Sequence, residues 1–408
     1  MNRLSIVLFI IVLMMVAIVW GISRGFGQVQ NNLSTEGKWT GAWTASMQAP
    51  HDDGISQKGL ENETIRMIIQ PHLDGGKIRL RLSNRFSTEP LKIDRVRIAE
   101  SENGDQIRKE SDQAVTFGGK KEAEIPPREK KVSDPISFKV NSDKPLAVSL
   151  YVRGASGPAD WHPHAMQTNY IVKGNETAST GLPVHTKKEE SWFWLEAVDV
   201  KADKSVKGAT VVLGSSIANG NHSTPDTNRR WPDYLAKRMK ASNHPISVLN
   251  AGISANQLIE STPDKGEGTS ERIERDVFDQ TGIKSVILHQ GLNDIRHHPE
   301  YSAGDIIDKM KAIIEKTHAR GLKIYGGTLT PYKGSGMFTP EGEKTRQEVN
   351  DWIRKSGEFD GVIDFDKAVR DPKNTERYLP EYDAGDHLHP NDAGYEKMAD
   401  AVDLSMFK

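Results

Sequence analysis

The period of the apolar residues changes once along this chain, and that change restricts the available folds more than any single motif does. From residue 38 to about residue 200, apolar and polar side chains alternate. The runs Lys77-Ile78-Arg79-Leu80-Arg81-Leu82 and Leu146-Ala147-Val148-Ser149-Leu150-Tyr151-Val152 put every second side chain on one face. Shorter runs of the same kind lie at 64–70, 91–99, 114–117, 136–140, 168–172 and 192–200, separated by turn residues such as Asp74-Gly75-Gly76, Gly118-Gly119 and Asn141-Ser142-Asp143. No stretch here has a helical period, so an all-β sandwich is predicted.

Beyond the charged stretch 201–208 short apolar strands alternate with amphipathic segments. Strands are expected at 209–213, 246–250, 285–289, 323–329 and 362–365, and helices at 231–241, 303–319, 341–356 and 391–404. That order predicts an α/β domain of three α/β/α layers around a parallel sheet. The expected organisation is therefore a spacer at 28–37, a β-sandwich at 38–200, a linker at 201–208 and an α/β domain at 209–408.

The first 27 residues read as a targeting segment. Arg3 precedes an apolar run from Leu4 to Trp20 in which Ser5 is the only polar residue. At 1.5 Å per residue, Leu4 to Ile22 would span roughly 28 Å as a helix, close to a bilayer's hydrocarbon core. A cleaved signal peptide and a retained membrane anchor both stay open. Either one predicts export, to the extracellular face of the cytoplasmic membrane or as a secreted protein, with membrane contact through this segment alone.

Composition narrows the chemistry. With 54 basic against 56 acidic side chains among 408 residues, the chain lacks the charge excess that draws proteins to nucleic acid. It has no cysteine, which excludes disulfides, thiolate metal sites and a cysteine nucleophile.

Ligand sites in parallel sheets lie beyond the carboxyl ends of the strands. After the first strand stands Gly214-Ser215-Ser216-Ile217-Ala218-Asn219-Gly220, a turn able to hold a hydroxyl at the sheet rim. Asn250-Ala251-Gly252-Ile253-Ser254 follows the second strand, its glycine allowing close approach to a substrate oxygen or simply a tight turn. Gly291-Leu292-Asn293-Asp294 follows the third and offers an amide donor toward an oxyanion. Near the end, Asp386-His387-Leu388-His389 places a carboxylate three residues before an imidazole, a spacing that lets the acid orient the ring. His387 and His389 are alternatively metal ligands, although no further ligand has suitable spacing.

Together, in this order, these blocks resemble the SGNH hydrolases, also called the GDSL esterase and lipase family. Ser216 matches the nucleophile, Gly252 the glycine, Asn293 the asparagine, and Asp386 with His389 the Asp-x-x-His block. The run Ser223 to Asp233 and Trp161-His162-Pro163 in the β-rich half resemble a two-domain exported subfamily. The resemblance implies an SGNH-type α/β fold and a serine esterase without cofactor or metal. In it Ser216, His389 and Asp386 form a triad, and the N–H groups of Ser216 and Gly252 with the Asn293 amide form the oxyanion hole. The chain departs from the family's Gly-Asp-Ser-Leu at Ser215 and Ile217, and Ser215 becomes a second candidate hydroxyl.

The expected substrate is a small-molecule or polysaccharide ester with a short acyl group, acetyl above all. A lysophospholipase and a glycan-binding module that has lost turnover are the alternatives. Trp161, Trp192 and Trp194 either stack on sugar rings or fill the sandwich core. Trp161-His162-Pro163-His164 either lines the cleft or forms an exposed turn, and Arg229-Arg230 either binds an anionic group or opens the first long helix.

Overall fold

The structure, a computed structural model, describes residues 37–242 and 245–408. Its N-terminal domain is built from antiparallel strands in two main sheets. One has the order Trp39–Thr44, Leu195–Lys201, Gly75–Asn84, Ile136–Val140, with Glu129–Val132 also pairing Gly75–Asn84. The other runs Lys187–Glu189, Asn169–Lys173, Glu63–Ile69, Leu146–Val152, Arg95–Asn103. The alternation has its expected cause: Ile78, Leu80 and Leu82 meet Ile65, Met67, Val148 and Leu150 in a single apolar core. Trp192 and Trp194 are buried in that core, so the core-filling role applies to them.

The polar face of the first sheet is not all solvated. Arg81 is buried and donates from Nη1 to Asp279 O (2.9 Å) and from Nη2 to Gln280 Oε1, both in the second domain. Thr281 Oγ1 donates to Asp199 Oδ2 (2.8 Å), and the Gly41 N–H to Thr281 O (2.9 Å). A Cβ at Gly41 would lie 2.8 Å from Leu249 Cδ1, so the close approach of the two domains depends on that glycine. Period-two alternation marks two faces of a strand, and here a second domain covers part of the polar one.

The C-terminal domain has a five-stranded parallel sheet in the order Ile246–Gly252, Gly208–Gly214, Ile283–His289, Lys323–Gly327, Gly361–Ile363. The chain starts in Gly208–Gly214 and leaves it in both directions. Right-handed crossovers therefore place Trp231–Ala241 and Ala303–His318 on opposite faces. Their starts are fixed locally. Asp233 accepts from the Arg230 N–H ahead of Trp231–Ala241, and Ser302 and Asp305 cap Ala303–His318 reciprocally. Pro340–Lys355 begins on Thr339, whose hydroxyl accepts from the Gly342 N–H. Gly214 lies in register with Gly252 on one side and His289 on the other, so three strand ends meet at one level.

The expected membrane anchor must be corrected. No helix among the described residues is long and apolar enough to cross a membrane, and the segment 1–27 that carried the expectation lies outside the described residues.

Candidate functional site

The three strand ends form the floor of the site. Strand Gly208–Gly214 passes through Ser215 into a single turn of helix, Ser216–Asn219, which sets Ser216 at the rim with its N–H at the helix start. No acceptor among the described residues takes that N–H. Ser216 Oγ lies 2.8 Å from His389 Nε2, and His389 Nδ1 lies 2.6 Å from Asp386 Oδ2. Ser215 makes no such contact, so the geometry distinguishes the two hydroxyls.

The loop holding the acid and the ring is built by its own side chains. Asp386 Oδ1 accepts from the N–H groups of Leu388 (3.0 Å) and His389 (2.9 Å). Burial acts to raise the Asp386 carboxyl, but the His389 ring and these N–H groups hold it well below the usual carboxylate range. An ionised Asp386 keeps hydrogen on Nδ1, which leaves Nε2 to accept the Ser216 proton. His387, at φ 62°, turns the other way and pairs with Asp383 Oδ2 (2.6 Å). The metal pairing of His387 with His389 considered from sequence is therefore not formed, because each ring has its own aspartate.

Asn293 is held at both ends of its amide. Nδ2 donates one hydrogen to Asn256 O (3.0 Å), and Oδ1 accepts from Arg296 Nη1 (3.1 Å). Its neighbour Asp294 is buried beneath the loop, and burial pushes its carboxyl up to about 6 despite hydrogen bonds from the Leu258 and Ile259 N–H groups.

Gly252 corrects the sequence expectation. Its N–H donates to Asn250 Oδ1 (2.9 Å) and is not free for a ligand. A Cβ there would stand 2.4 Å from Asn219 N, so the glycine lets the Ser216–Asn219 turn sit on the second strand. The loop beyond contributes instead: Ser254 Oγ donates to Asn221 Oδ1 (2.7 Å), and Asn256 O holds Asn293. Between them Ala255 adopts φ 59°, and its N–H has no acceptor among the described residues. A non-glycine residue in that region marks a held conformation.

Three further residues escaped the sequence analysis as site components. Arg272 is fully buried and ties the strand ends together, donating to Gly214 O (2.9 Å), Ala251 O (2.8 Å) and Asn256 Oδ1 (2.9 Å) beside Asp276. His222 stacks on His389 with ring centroids 5.0 Å apart, its Nε2 3.4 Å from Asp386 Oδ2. Asn219 Nδ2 donates to His164 O (2.8 Å) in the first domain. Within the Trp161–His164 motif His162 and Pro163 are buried, His162 against Asn219, whereas His164 is exposed. Arg229 pairs with Asp392 (2.8 Å) and Arg230 with Asp233 (3.7 Å), which accounts for both arginines without a ligand.

Solved structures similar to the chain include a protein of the G-D-S-L family from Desulfitobacterium hafniense DCB-2 (21% identity, 47% of this chain and 96% of that one, TM-score 0.38). An aryl esterase from M. smegmatis (16%, 47% and 95%, 0.39) and the carbohydrate acetylesterase Est24 from Sinorhizobium meliloti (13%, 47% and 94%, 0.37) are similar over the same extent. Among curated proteins none matches the chain significantly. Residues 212–397, which contain Ser216, Asn293, Asp386 and His389, match the GDSL-like Lipase/Acylhydrolase family, and the C-terminal domain is a GDSL/SGNH-type serine hydrolase domain with the general esterase or acylhydrolase activity of that superfamily.

Proposed function

We propose that this chain hydrolyses short-chain carboxylic esters, acetyl esters of a hydrophilic alcohol such as a sugar above all, through a Ser216–His389–Asp386 triad and an acyl-enzyme. The observation that carries the reading is the continuous hydrogen-bonded path from Ser216 Oγ through His389 to Asp386. His389 Nε2 takes the Ser216 proton as Oγ attacks the carbonyl carbon, and Asp386 stabilises the imidazolium. His389 then protonates the departing alkoxide. Water, deprotonated by the same nitrogen, attacks the acyl-enzyme and releases the acid.

The oxyanion meets the N–H of Ser216, the second Nδ2 hydrogen of Asn293 and the N–H of Ala255, which replaces Gly252 in that role. His222, Asn221, Ser254 and Arg296 give the surroundings a polar character, which favours a hydrophilic alcohol over a long acyl chain.

Mass spectrometry after fluorophosphonate treatment tests the assignment. A single adduct on Ser216, and loss of nitrophenyl acetate hydrolysis in Ser216→Ala, are expected. An adduct on Ser215, or full activity of the variant, would overturn it. Rates across an acyl-chain series, with acetyl release from acetylated xylan, separate this substrate class from a lysophospholipid.

A further inference from the structure

His222 has no part in the mechanism above, yet its placement is specific. It lies at φ 66°, a conformation that costs a non-glycine residue energy, and it is about half exposed (48%). Its ring lies over the His389 ring, tilted by 24°, with Nε2 facing Asp386 Oδ2. Each of His222, Asp386 and His389 offers one ligand atom, and these atoms lie within 4.8 Å of one another; no other such group occurs among the described residues.

We infer that His222, Asp386 and His389 form an inhibitory site for a divalent transition-metal ion, with Zn²⁺ the natural probe. Two imidazoles and one carboxylate are a donor set that suits Zn²⁺ and is poor for Mg²⁺ or Ca²⁺, which prefer oxygen ligands. Zinc–nitrogen and zinc–oxygen bonds of about 2.0–2.2 Å set tetrahedral ligand separations of roughly 3.3 Å. The 3.4 Å between His222 Nε2 and Asp386 Oδ2 already matches one such edge. The His389–Asp386 edge, 2.6 Å from Nδ1 to Oδ2, must widen as the metal replaces the shared hydrogen, the edge between the two rings closes through His222, the most exposed of the three ligands, and water completes the shell.

A metal here occupies the acid that orients His389 and a nitrogen of His389 itself, so the ring can no longer serve Ser216. The inhibition rests on the proposed triad; the metal site does not.

Two measurements on the full chain separate these claims. Zn²⁺ is titrated calorimetrically into Ser216→Ala and into Ser216→Ala/His222→Asn, asparagine being chosen because it tolerates a left-handed backbone. Ester hydrolysis by the Ser216-containing protein and by His222→Asn is followed against Zn²⁺, each relative to its own metal-free rate, with Mg²⁺ as control and a chelator for reversal.

Binding to Ser216→Ala that weakens on the order of tenfold or more without His222 is expected. A matching shift in inhibition, reversed by the chelator and absent with Mg²⁺, is also expected. Equal Zn²⁺ binding with and without His222 would overturn the site, and so would equal inhibition of the two active proteins. If the metal-free protein shows no hydrolysis, the triad reading fails, and the calorimetric comparison still decides the site.

Discussion

His162 of the β-sandwich and Asn219 of the Ser216–Asn219 turn meet across the domain boundary, with His162 Nε2 2.9 Å from Asn219 Oδ1. The other ring nitrogen lies 2.8 Å from Ser46 O, and Asn219 Nδ2 reaches back to His164 O and across to Ser254 Oγ (3.0 Å). One amide side chain thus links the first domain, the turn that presents Ser216 and the loop after the second strand. The β-sandwich thereby holds the Ser216–Asn219 turn.

Asn219→Ala removes that link while leaving Ser216, His389 and Asp386 in place. Unsatisfied buried partners cost roughly 1–3 kcal/mol, and the turn gains freedom where, under the proposed mechanism, the oxyanion forms. The expected outcome is a kcat lower by about tenfold or more with KM nearly unchanged, because positioning matters most in the transition state. Steady-state kinetics with nitrophenyl acetate check it, and a change confined to KM would contradict it.

What the sequence made legible, and what it did not, divides along physical lines. Strand alternation and helix capping are local, so the two domains and the main helices follow from residues within a few positions of one another. Asp386 and His389 are three residues apart and hydrogen-bond within their own loop, which is why their pairing is readable from spacing. Gly252 misled because a glycine admits either a ligand or another backbone, and only the assembled sheet shows that the backbone of Asn219 takes the space. Arg272, His222 and His162 act over long separations. Arg272 Nη2 bonds a carbonyl 58 positions away and His162 an amide 57 away, and no local pattern encodes such pairs.

Arg272 supports the strand ends from below. Burial lowers the affinity of its guanidinium for its proton, opposed chiefly by Asp276. Arg272→Met removes the cation, leaves Asp276 with Arg275 alone (2.7 Å), and takes a donor from the carbonyls of Gly214 and Ala251, of which Gly214 keeps the Ile253 N–H (3.2 Å). Breaking a buried pair on one side costs about 3–5 kcal/mol. Urea unfolding should show a loss of that order, and a neutral effect would mean that these carbonyls are served in another way.

Asn293 and Arg296 make the donor side of the site testable apart from the triad. Under the proposed mechanism Asn293→Ala removes one oxyanion donor and should lower kcat by about 10²–10³-fold. Arg296→Gln loosens the amide by removing the guanidinium from Oδ1 and should cost less, with partial recovery in Arg296→Lys. Fluorophosphonate labelling rates should fall in the same order. A larger loss in Arg296→Gln than in Asn293→Ala would assign Arg296 a direct contact with substrate.

His289 sets a pH limit on stability. Its ring is buried at the end of the third strand with Nδ1 unpartnered, and burial pushes it down to about 4. In the unfolded chain an imidazole titrates near ~6.5. Between those values the unfolded state binds more protons, so the stability contributed by the neutral ring is complete above about pH 6.5 and is lost as pH falls toward 4. At about 1.4 kcal/mol per unit the loss is roughly 3 kcal/mol. Asp294 works against it: its carboxyl, raised to about 6, makes the folded state bind more protons below that pH, so its ionisation weakens the fold as pH rises. The two are separated by variants. Urea unfolding of His289→Gln between pH 7 and pH 4.5 should show less acid loss than the parent chain, and Asp294→Asn more. Parallel curves for His289→Gln and the parent would show that His289 does not carry the acid sensitivity.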